Sequence, residues 1–352
     1  MKIAFLGAGR VVSWQLERFS LYSNLEVIGF YDIDKKRSSE LISKGYRHFR
    51  SINELVTSEA DIIAISTPSN LHYSCIKELL KEKIKDKIIT IEKPTFLKQD
   101  EYFFIDELIK KESLIVLPIF QNRYNNAVQA AKKLINKENL GTILNGRIIL
   151  SWCRPQRYYD QADWRGKWYS DGGALTNQGI HFIDVARYLF GEVENVSFRM
   201  DRAEIDIECE NVAIGSMKLK SGRLISVDIT TTARPTDHLS EISIYGSNGF
   251  ITIGGIALNQ IEKNSLNLPL NCDENIPNGY GFGHEKFYLD LCKMHLNNDY
   301  SNVLSNMRDA EMTSAILNAA YTSASDGGKI ISTNGPFKEI LGYKINEPII
   351  FK

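Results

Sequence analysis

Five short, uninterrupted apolar runs in the first 120 residues constrain the fold of this chain more than any other feature. The runs are Lys2–Leu6, Leu25–Tyr31, Asp61–Ile65, Lys87–Ile91 and Leu114–Pro118. Strands that are apolar throughout, without alternation, are typical of parallel sheets covered on both faces by helices. The stretches between them include 10–20, 71–81 and 100–111, which are long enough for crossover helices. The pattern therefore predicts an α/β fold with a doubly wound parallel sheet.

Beyond about residue 122 the pattern changes to longer helices and turn-linked strands. Helices are predicted at 126–136 and 174–190, and strand-like runs at 142–152, 211–219, 224–232, 242–245 and 250–253. Short turns such as Ser221-Gly222 join several of these strands, which indicates an α+β region with an antiparallel sheet. The chain is too long for one ordinary core. We therefore predict two domains, residues 1–122 and 123–352, joined by a compact crossover near 119–124.

Composition excludes several classes of protein. The net charge of −1 gives no electrostatic reason to expect a nucleic-acid partner. No apolar run approaches the roughly 20 residues that span a bilayer, and the N-terminus does not resemble a signal peptide. The 5 cysteines are scattered and odd in number, which favours reduced thiols and a cytoplasmic protein. No set of His and Cys residues has metal-ligand spacing, so we expect no metal site.

The first candidate site lies between the first strand and its helix. Gly7 permits a tight turn, and Gly9 lets the backbone approach a pyrophosphate at the helix N-terminus, beside Arg10 and Val11. Asp32 closes the second strand, where a carboxylate accepts hydrogen bonds from ribose hydroxyls and repels a 2′-phosphate. These residues predict NAD in preference to NADP, although the nearby basic residues 35–37 oppose that preference. The alternative is an ordinary βα turn with a surface aspartate.

Two further strand ends carry polar residues. Ligands of doubly wound sheets gather at the carboxyl ends of the strands. Thr67-Pro68 follows the strand 61–65 and is expected beside the nicotinamide ribose, whereas His72 is either a ligand or a packing histidine. Lys93 follows the strand 87–91, and a lysine that loses hydration there can exchange a proton with a reacting hydroxyl. The alternative for Lys93 is a solvated surface position.

In the second region, the segment 171–184 combines two glycines with a polar helix. If it is α-helical, Asn177, His181 and Asp184 lie on one face. An imidazole, whose ordinary pKa is about 6.5, can accept an alcohol proton as hydride leaves the carbon. The alternative is a core histidine whose hydrogen bond is satisfied by Asp184.

Taken together, these motifs resemble the Gfo/Idh/MocA family of oxidoreductases over essentially the whole chain. The resemblance rests on Gly7-Ala8-Gly9, Asp32, Thr67-Pro68 with His72, Glu92-Lys93-Pro94, Gln121-Asn122-Arg123, and Gly172-Gly173 through His181 and Asp184. It implies an N-terminal Rossmann domain, a C-terminal open sheet that mediates dimers or tetramers, and Lys93 with His181 as the catalytic pair. Asn177 stands where many members have aspartate. The implied cofactor contacts are Gly7, Gly9, Arg10, Val11, Asp32, Thr67, Pro68, Asn70, His72, Glu92, Lys93, Gln121, Trp164 and Arg165.

A narrower resemblance points to a substrate. Segments 158–160, 164–168, 172–181 and 280–284 are similar to the branch that oxidises UDP-N-acetylglucosaminuronic acid (UDP-GlcNAcA) at C3, giving a 3-keto sugar for cell-surface polysaccharide precursors such as those of lipopolysaccharide. Guanidinium groups there suit a diphosphate and a carboxylate. The implied substrate contacts are Lys93, Arg123, Arg157, Tyr158, Arg165, Asn177 and His181.

Three alternatives remain open at this point. The arginines of the loop before residue 171, namely Arg154, Arg157 and Arg165, could form surface or interface ion pairs. The substrate could be another sugar, an inositol or a nucleotide-deoxysugar. The protein could also be a dinucleotide sensor without catalysis, although both Lys93 and His181 are present.

Overall fold

The computed structural model describes residues 1–266, 268, 270, 272, 274–345 and 349. They form two compact units. The first comprises Met1–Phe96, Asp100–Gln121 and Phe282–Ala310, and the second comprises Leu97–Gln99, Asn122–Gly281 and Glu311–Lys352. The change of unit at Gln121 lies beside the predicted boundary, but Phe282–Ala310, which the sequence analysis placed in the second domain, belongs to the first unit.

The first unit contains a five-stranded parallel sheet with the order β2-β1-β3-β4-β5. Its strands are β1 (Lys2–Leu6), β2 (Glu26–Tyr31), β3 (Ile62–Ile65), β4 (Ile88–Ile91) and β5 (Ile115–Pro118). Its helices are α1 (Arg10–Phe19), α2 (Lys35–Ser43), α3 (Ile52–Val56), α4 (His72–Lys81) and α5 (Gln99–Glu112). Every residue of β3 and β4 is buried, as expected for central strands covered on both faces. The predicted doubly wound sheet is confirmed.

The second unit contains an eight-stranded sheet with the order β12-β11-β10-β6-β9-β8-β7-β13. Its strands are β6 (Ile143–Ser151), β7 (Val193–Asp201), β8 (Val212–Leu219), β9 (Leu224–Thr230), β10 (Leu239–Gly246), β11 (Gly249–Gly254), β12 (Gln260–Asn264) and β13 (Ile331–Ser332). Neighbouring strands are antiparallel except β6 and β9, which pair in parallel. The predicted open, mainly antiparallel sheet is confirmed.

The remaining helices are α6 (Asn126–Asn136), α7 (Gln156–Tyr159), α8 (Ile180–Phe190), α9 (Gly283–Asn297) and α10 (Met307–Ser325). Helix α8 buries most of its side chains, including Phe182, Ile183 and Val185. Within the ranges that the structure describes, no helix is both long and apolar enough to cross a membrane.

Helix α9 is tied to the sheet of the first unit, although more than 160 residues separate it from β5 in sequence. Glu285 pairs with Arg18 of α1 at 2.6 Å, and the hydroxyls of Tyr288 and Thr90 lie 2.9 Å apart. Glu285 and Tyr288 are both buried. A local pattern could not reveal this assignment because the partners of α9 are remote in sequence.

Candidate functional site

The turn between β1 and α1 has the geometry of an anion-binding turn. Gly7 adopts φ +110°, and a Cβ there would lie 2.7 Å from the carbonyl carbon and oxygen of Ser66. Gly9 is the N-cap of α1 with extended backbone; no side chain among the described residues caps it, and the first turn has no acidic residue. The first N–H groups of a helix therefore remain for an anion at this end. The turn fits the pyrophosphate of a dinucleotide.

Asp32 connects this turn to the end of β2. Its Oδ2 accepts a hydrogen bond from the backbone N–H of Ala8 at 2.6 Å, and its Oδ1 accepts one from Asp34 at 2.7 Å. A carboxylate has about four acceptor sites, so Asp32 retains capacity for ribose hydroxyls. In the first turn of α1, Val11 is half-buried and Arg10 is exposed. The position of Asp32 fits the predicted ribose contact.

His72 holds two strand-end loops together. The ring is 1% exposed; its Nδ1 lies 3.0 Å from the carbonyls of both Pro94 and Thr95, and its Nε2 lies 3.0 Å from that of Thr67. Burial lowers the pKa of His72, although the three carbonyls and Glu92 act in the opposite direction. The geometry favours the packing role considered for His72, in which it positions the loops carrying Thr67 and Lys93, over a direct cofactor contact.

Glu92 is the buried neighbour of the candidate catalytic Lys93. Its Oε1 accepts hydrogen bonds from Nε2 of Gln15 at 3.1 Å and pairs with Nε2 of His284 at 2.9 Å. Burial alone would raise the pKa of Glu92, but His284, Lys93 and His72 lower it below its usual value. The carboxylate is therefore ionised at neutral pH beside the half-buried Lys93. His284 is a residue whose role sequence reasoning missed, since 192 positions separate it from Glu92.

Gln121 supplies a second feature that fits a ligand in the first unit. It is 4% exposed, and its Oε1 is buried with no hydrogen-bond partner among the described residues. Buried polar atoms are nearly always hydrogen-bonded, so this oxygen is available to a donor from a ligand or from an ordered water. Thr67, Pro68 and Asn70 are half-buried at the end of β3. Among the described residues no group of three or more His, Cys, Asp or Glu could hold a metal ion.

In the second unit, the segment carrying Asn177 is not the continuous α-helix that was predicted. Residues Leu175–Gly179 form a π-helical turn, and α8 begins only at Ile180. A π turn closes hydrogen bonds between residues five apart, and such turns are frequent at functional sites. The spacing of four that placed Asn177 and His181 on one face assumed α-helical geometry throughout, so that argument does not apply to Asn177. Its Nδ2 donates to Oδ1 of Asp171 at 2.6 Å.

A buried glutamate holds the start of this π turn. Oε1 of Glu210 accepts hydrogen bonds from the backbone N–H of Leu175 at 2.8 Å and the hydroxyl of Tyr321 at 3.1 Å. Burial raises the pKa of Glu210 to about 8. A Cβ on Gly173 would lie 1.9 Å from Oε2 of Glu210, which explains why the turn requires glycine there. Sequence reasoning identified the glycines but missed Glu210, whose partners lie far away in the chain.

The alternative for His181 assumed a hydrogen bond with Asp184, but the partners found for Asp184 among the described residues are Arg123 and Thr313. The two oxygens of Asp184 accept from Nε and Nη2 of Arg123 at 2.7 Å each, and Thr313 donates to Asp184 at 3.0 Å. Arg123 and Asp184 are 2% and 1% exposed. This buried bidentate pair favours a structural role for Arg123 over the predicted substrate contact.

The loop before the π turn gathers several of the predicted substrate residues. The guanidinium of Arg165 lies 4.4 Å and 4.7 Å from the ring centroids of Tyr158 and Trp164. The hydroxyl of Tyr158 accepts hydrogen bonds from Arg165 and Gln178. Buried polar atoms with no partner among the described residues cluster here, namely Trp164 Nε1, Arg165 Nε and Gln178 Oε1. The cluster therefore presents unused donors and an acceptor to a polar ligand.

The other basic residues of this loop differ in their surroundings. Arg157 is exposed on α7. Arg154 pairs with Asp237 at 2.9 Å and lies over the ring of Trp152. The alternative of a structural ion pair therefore holds for Arg154, and Arg157 and Arg165 remain the candidates for anion recognition.

Comparison with known proteins gives the same family for both parts of the chain. Residues 1–120 match an oxidoreductase family with an NAD-binding Rossmann fold, and residues 128–252 match the GFO/IDH/MocA C-terminal domain. The WlbA dehydrogenase from Bordetella pertussis, crystallised with NADH and UDP-GlcNAcA, is 26% identical and aligns over 96% of this chain and 99% of its own, with a TM-score of 0.82. The corresponding enzyme from Chromobacterium violaceum, with the same two ligands, is 29% identical over 94% and 95% of the chains, with a TM-score of 0.84.

The chain is also similar to a relative that is named for a sugar phosphate and not for a nucleotide sugar. Glucose-6-phosphate 3-dehydrogenase from Bacillus subtilis (strain 168) is 28% identical over 193 residues, which cover 54% of this chain and 53% of that enzyme. This match therefore spans about half the length of the relative. Both halves of the family are matched in order along the chain, and the folds agree. The chain belongs to the Gfo/Idh/MocA family of oxidoreductases, and residues 1–120 form its NAD-binding Rossmann domain.

Proposed function

We propose that this protein oxidises a sugar hydroxyl with NAD, and specifically C3 of UDP-GlcNAcA, giving the 3-keto sugar. The observation that carries the proposal is the presence of Lys93, Asn177 and His181 in a chain similar over nearly its whole length to two dehydrogenases crystallised with NADH and UDP-GlcNAcA. The product would serve a later amination in the synthesis of cell-surface polysaccharide precursors.

The chemistry needs a hydride acceptor and a proton acceptor. NAD, when bound, supplies the hydride acceptor. The hydroxyl proton passes to His181 or Lys93, both of which are half-buried and can exchange a proton near neutral pH once partly desolvated. Glu92 keeps a negative charge beside Lys93. This negative charge stabilises the protonated, ammonium form of Lys93.

Cofactor binding is assigned to the turn of the first unit. The helix N-terminus after Gly9 receives the pyrophosphate, and Asp32 accepts hydrogen bonds from the ribose. The unused Oε1 of Gln121 is available to an amide or hydroxyl donor. Thr67 and Pro68 line the same strand ends. These four features fit a dinucleotide better than an ordinary βα turn.

Substrate recognition is assigned to the loop of the second unit that carries Arg154, Arg157 and Arg165, called the arginine-bearing loop below. Arg165 is fixed by Tyr158 and Trp164, and its buried Nε has no partner among the described residues. A guanidinium in this state forms charge-assisted hydrogen bonds with a carboxylate or a phosphate. Arg157 supplies a second, exposed cation. A diphosphate-linked uronate carries both kinds of anion.

A second candidate is the 3-oxidation of a hexose phosphate. The similarity to glucose-6-phosphate 3-dehydrogenase favours it, because that enzyme also acts at position 3 of a sugar that carries an anion. The same cations and proton acceptors would serve this substrate.

The substrate assignment is tested by comparing UDP-GlcNAcA with UDP-N-acetylglucosamine in one NADH-absorbance assay, with 2-oxoglutarate present in case the cofactor stays bound. The two sugars differ only in the carboxylate. A charge-assisted hydrogen bond is worth roughly 1.5–3 kcal/mol, so we expect kcat/KM to fall by about 10- to 150-fold without it. Arg165→Ala should reduce this difference. Equal kcat/KM for the two sugars would refute the uronate assignment, and faster turnover of glucose 6-phosphate would favour the second candidate.

We also propose that the protein assembles as a cytoplasmic dimer or tetramer through the eight-stranded sheet. Five large side chains on its strands are between 37% and 56% exposed, namely Leu144, Ile214, Leu224, Tyr245 and Phe250. Exposed apolar side chains on one element are typical of an interface. Light scattering tests the proposal, and a monomer at micromolar concentration would refute it.

A further inference from the structure

Asp171 is a buried carboxylate to which the reaction described above assigns no role. It is 3% exposed, and its Oδ2 accepts a hydrogen bond from the backbone N–H of Gly166 at 3.0 Å. Its Oδ1 accepts the 2.6 Å hydrogen bond from Nδ2 of Asn177. Asp171 therefore joins the arginine-bearing loop to the π turn that precedes His181.

The chemistry of this contact fixes the orientation of an amide. An ionised carboxylate only accepts hydrogen bonds, whereas an amide has one donating and one accepting end. Asn177 must therefore turn Nδ2 toward Asp171, and its carbonyl Oδ1 is the end left for any other group. If position 171 carried a donor, the amide would be free to reverse.

The backbone around this contact is held rigidly. Glu210 binds the N–H of Leu175, and the hydroxyls of Tyr321 and Thr176 lie 2.7 Å apart. Asn177 itself donates its backbone N–H to the carbonyl of Gly173 at 2.9 Å. These contacts keep the π turn in place, so the orientation of the Asn177 amide depends on Asp171 and not on movement of the backbone.

We propose that Asp171 is a positioning residue, which acts through Asn177 so that the amide presents only its carbonyl oxygen to the imidazole of His181 or to the reacting hydroxyl. The inference rests on the proposed function, since it deepens the account of the same residues. In this arrangement a carboxylate, an amide and an imidazole form a chain in which the negative charge stands one side chain away from the histidine. A carbonyl oxygen in this orientation can accept a hydrogen bond from an imidazole N–H and so orient the ring for proton acceptance.

The first test is Asp171→Asn, which keeps an acceptor for Gly166 and replaces the other oxygen with a donor. The amide of Asn177 then reverses and presents Nδ2 in place of Oδ1. We expect kcat to fall about tenfold, with KM for the sugar nearly unchanged, as for loss of one orienting hydrogen bond. Asn177→Ala should give a similar loss, and combining the two changes should add little, since both remove the same oriented oxygen.

The second test exchanges the carboxylate of Asp171 and the amide of Asn177. Asn177→Asp alone places two carboxylates at hydrogen-bond distance, where they must share a proton, so activity should fall and become strongly dependent on pH. The double variant D171N/N177D restores one carboxylate and one amide and should recover kcat to within a few-fold of the wild type. Asp206→Asn, the same change at an exposed site of the second unit, is the control.

A readout that needs no substrate separates this inference from the proposed function. NMR titration of His181, assigned by its absence in His181→Gln, should show a pKa lowered by about half a unit in D171N and raised above the wild-type value in the double variant. That result without turnover of any UDP-uronate would overturn the substrate proposal and leave the role of Asp171 standing. Wild-type kcat and His181 titration in D171N, or a double variant no more active than either single variant, would overturn the role of Asp171.

Discussion

The turn after β1 and the π turn before α8 position their functional residues by different means. In the first unit, Gly7 and Gly9 act through backbone geometry, and the buried ring of His72 is hydrogen-bonded to three main-chain carbonyls. In the second unit, two buried carboxyl groups hold the π turn, since Glu210 accepts a hydrogen bond from the backbone of Leu175 at its start and Asp171 accepts one from the side chain of Asn177 at its middle. The candidate cofactor turn is therefore held mainly through glycine backbone geometry and the hydrogen bond that Ala8 donates to Asp32, and the segment before the candidate catalytic His181 through buried carboxyl groups.

Because the two regions are held by different means, we expect them to respond differently to substitution and to pH. Backbone-set positions are sensitive to the size of a side chain and insensitive to pH. Positions set by buried carboxylates are sensitive to charge and therefore to pH and to isosteric substitution.

The largest expected effect is on turnover. Lys93→Met should reduce kcat by about 100-fold or more, as expected for loss of a proton-transfer group, while NAD binding measured by fluorescence stays nearly unchanged. The control is Lys85→Met, an exposed lysine shortly before the same strand. Turnover of Lys93→Met near the wild-type rate would remove Lys93 from the mechanism.

The glycine turn offers a matched pair of variants. A Cβ on Gly7 would meet the backbone of Ser66 at 2.7 Å in a left-handed conformation, whereas one on Gly9 would lie 3.7 Å from the nearest atom. We expect Gly7→Ala to lower the free energy of unfolding by about 3 kcal/mol and to abolish NAD binding. Gly9→Ala should weaken NAD binding with stability changed by less than about 0.5 kcal/mol. Chemical denaturation and NAD titration measure both, and equal stability of the two variants would contradict the geometric argument.

Asp32→Ala tests the cofactor preference. The change removes the acceptor for the ribose and the repulsion of a 2′-phosphate, so KM for NAD should rise about tenfold while KM for NADP stays level or falls. Steady-state kinetics with both cofactors give the ratio. A wild-type enzyme that prefers NADP would show that the basic residues 35–37 dominate.

The smallest expected effect is a change in the pH dependence of stability. Burial raises the pKa of Glu210 from 4.5 to about 8, so between these values the folded protein holds a proton that the unfolded chain has lost. The stability associated with this carboxyl is complete below about pH 4.5 and is lost as pH rises through about 8. Glu210→Gln should therefore show a Tm that falls less than the wild-type Tm from about pH 5 to 9. The exposed Glu208→Gln is the control, and parallel curves for wild type and Glu210→Gln would contradict the assignment.

The same contrast explains what the sequence could predict. The strand pattern located all five parallel strands to within one residue, because buried parallel strands leave a continuous apolar run. The glycine turn was recognisable since its motif is local. The predicted α-helix over 174–190 was wrong at Leu175–Gly179, which form a π turn. Glu210, 35 residues beyond Leu175, accepts a hydrogen bond from the start of this turn, and the periodicity of apolar residues does not predict such a contact.

Residues whose partners are remote in sequence were the ones missed. His284 contacts Glu92 across 192 residues. Arg123 was predicted to bind substrate from the family resemblance, and its buried partner Asp184, 61 residues away, was not recognised. A charged residue gives the same local signal whether it faces a ligand or a buried counter-ion. The assignments of individual contacts to NAD and the sugar remain predictions.

The most direct test of the account follows the hydrogen at C3. UDP-GlcNAcA deuterated at C3 is incubated with NAD and an excess of the protein for a single turnover, the protein is denatured, and the cofactor is examined by mass spectrometry. The account predicts NADH that carries the deuterium, together with the 3-keto sugar. Unlabelled NADH, or a cofactor that stays oxidised while the sugar remains intact, would contradict it.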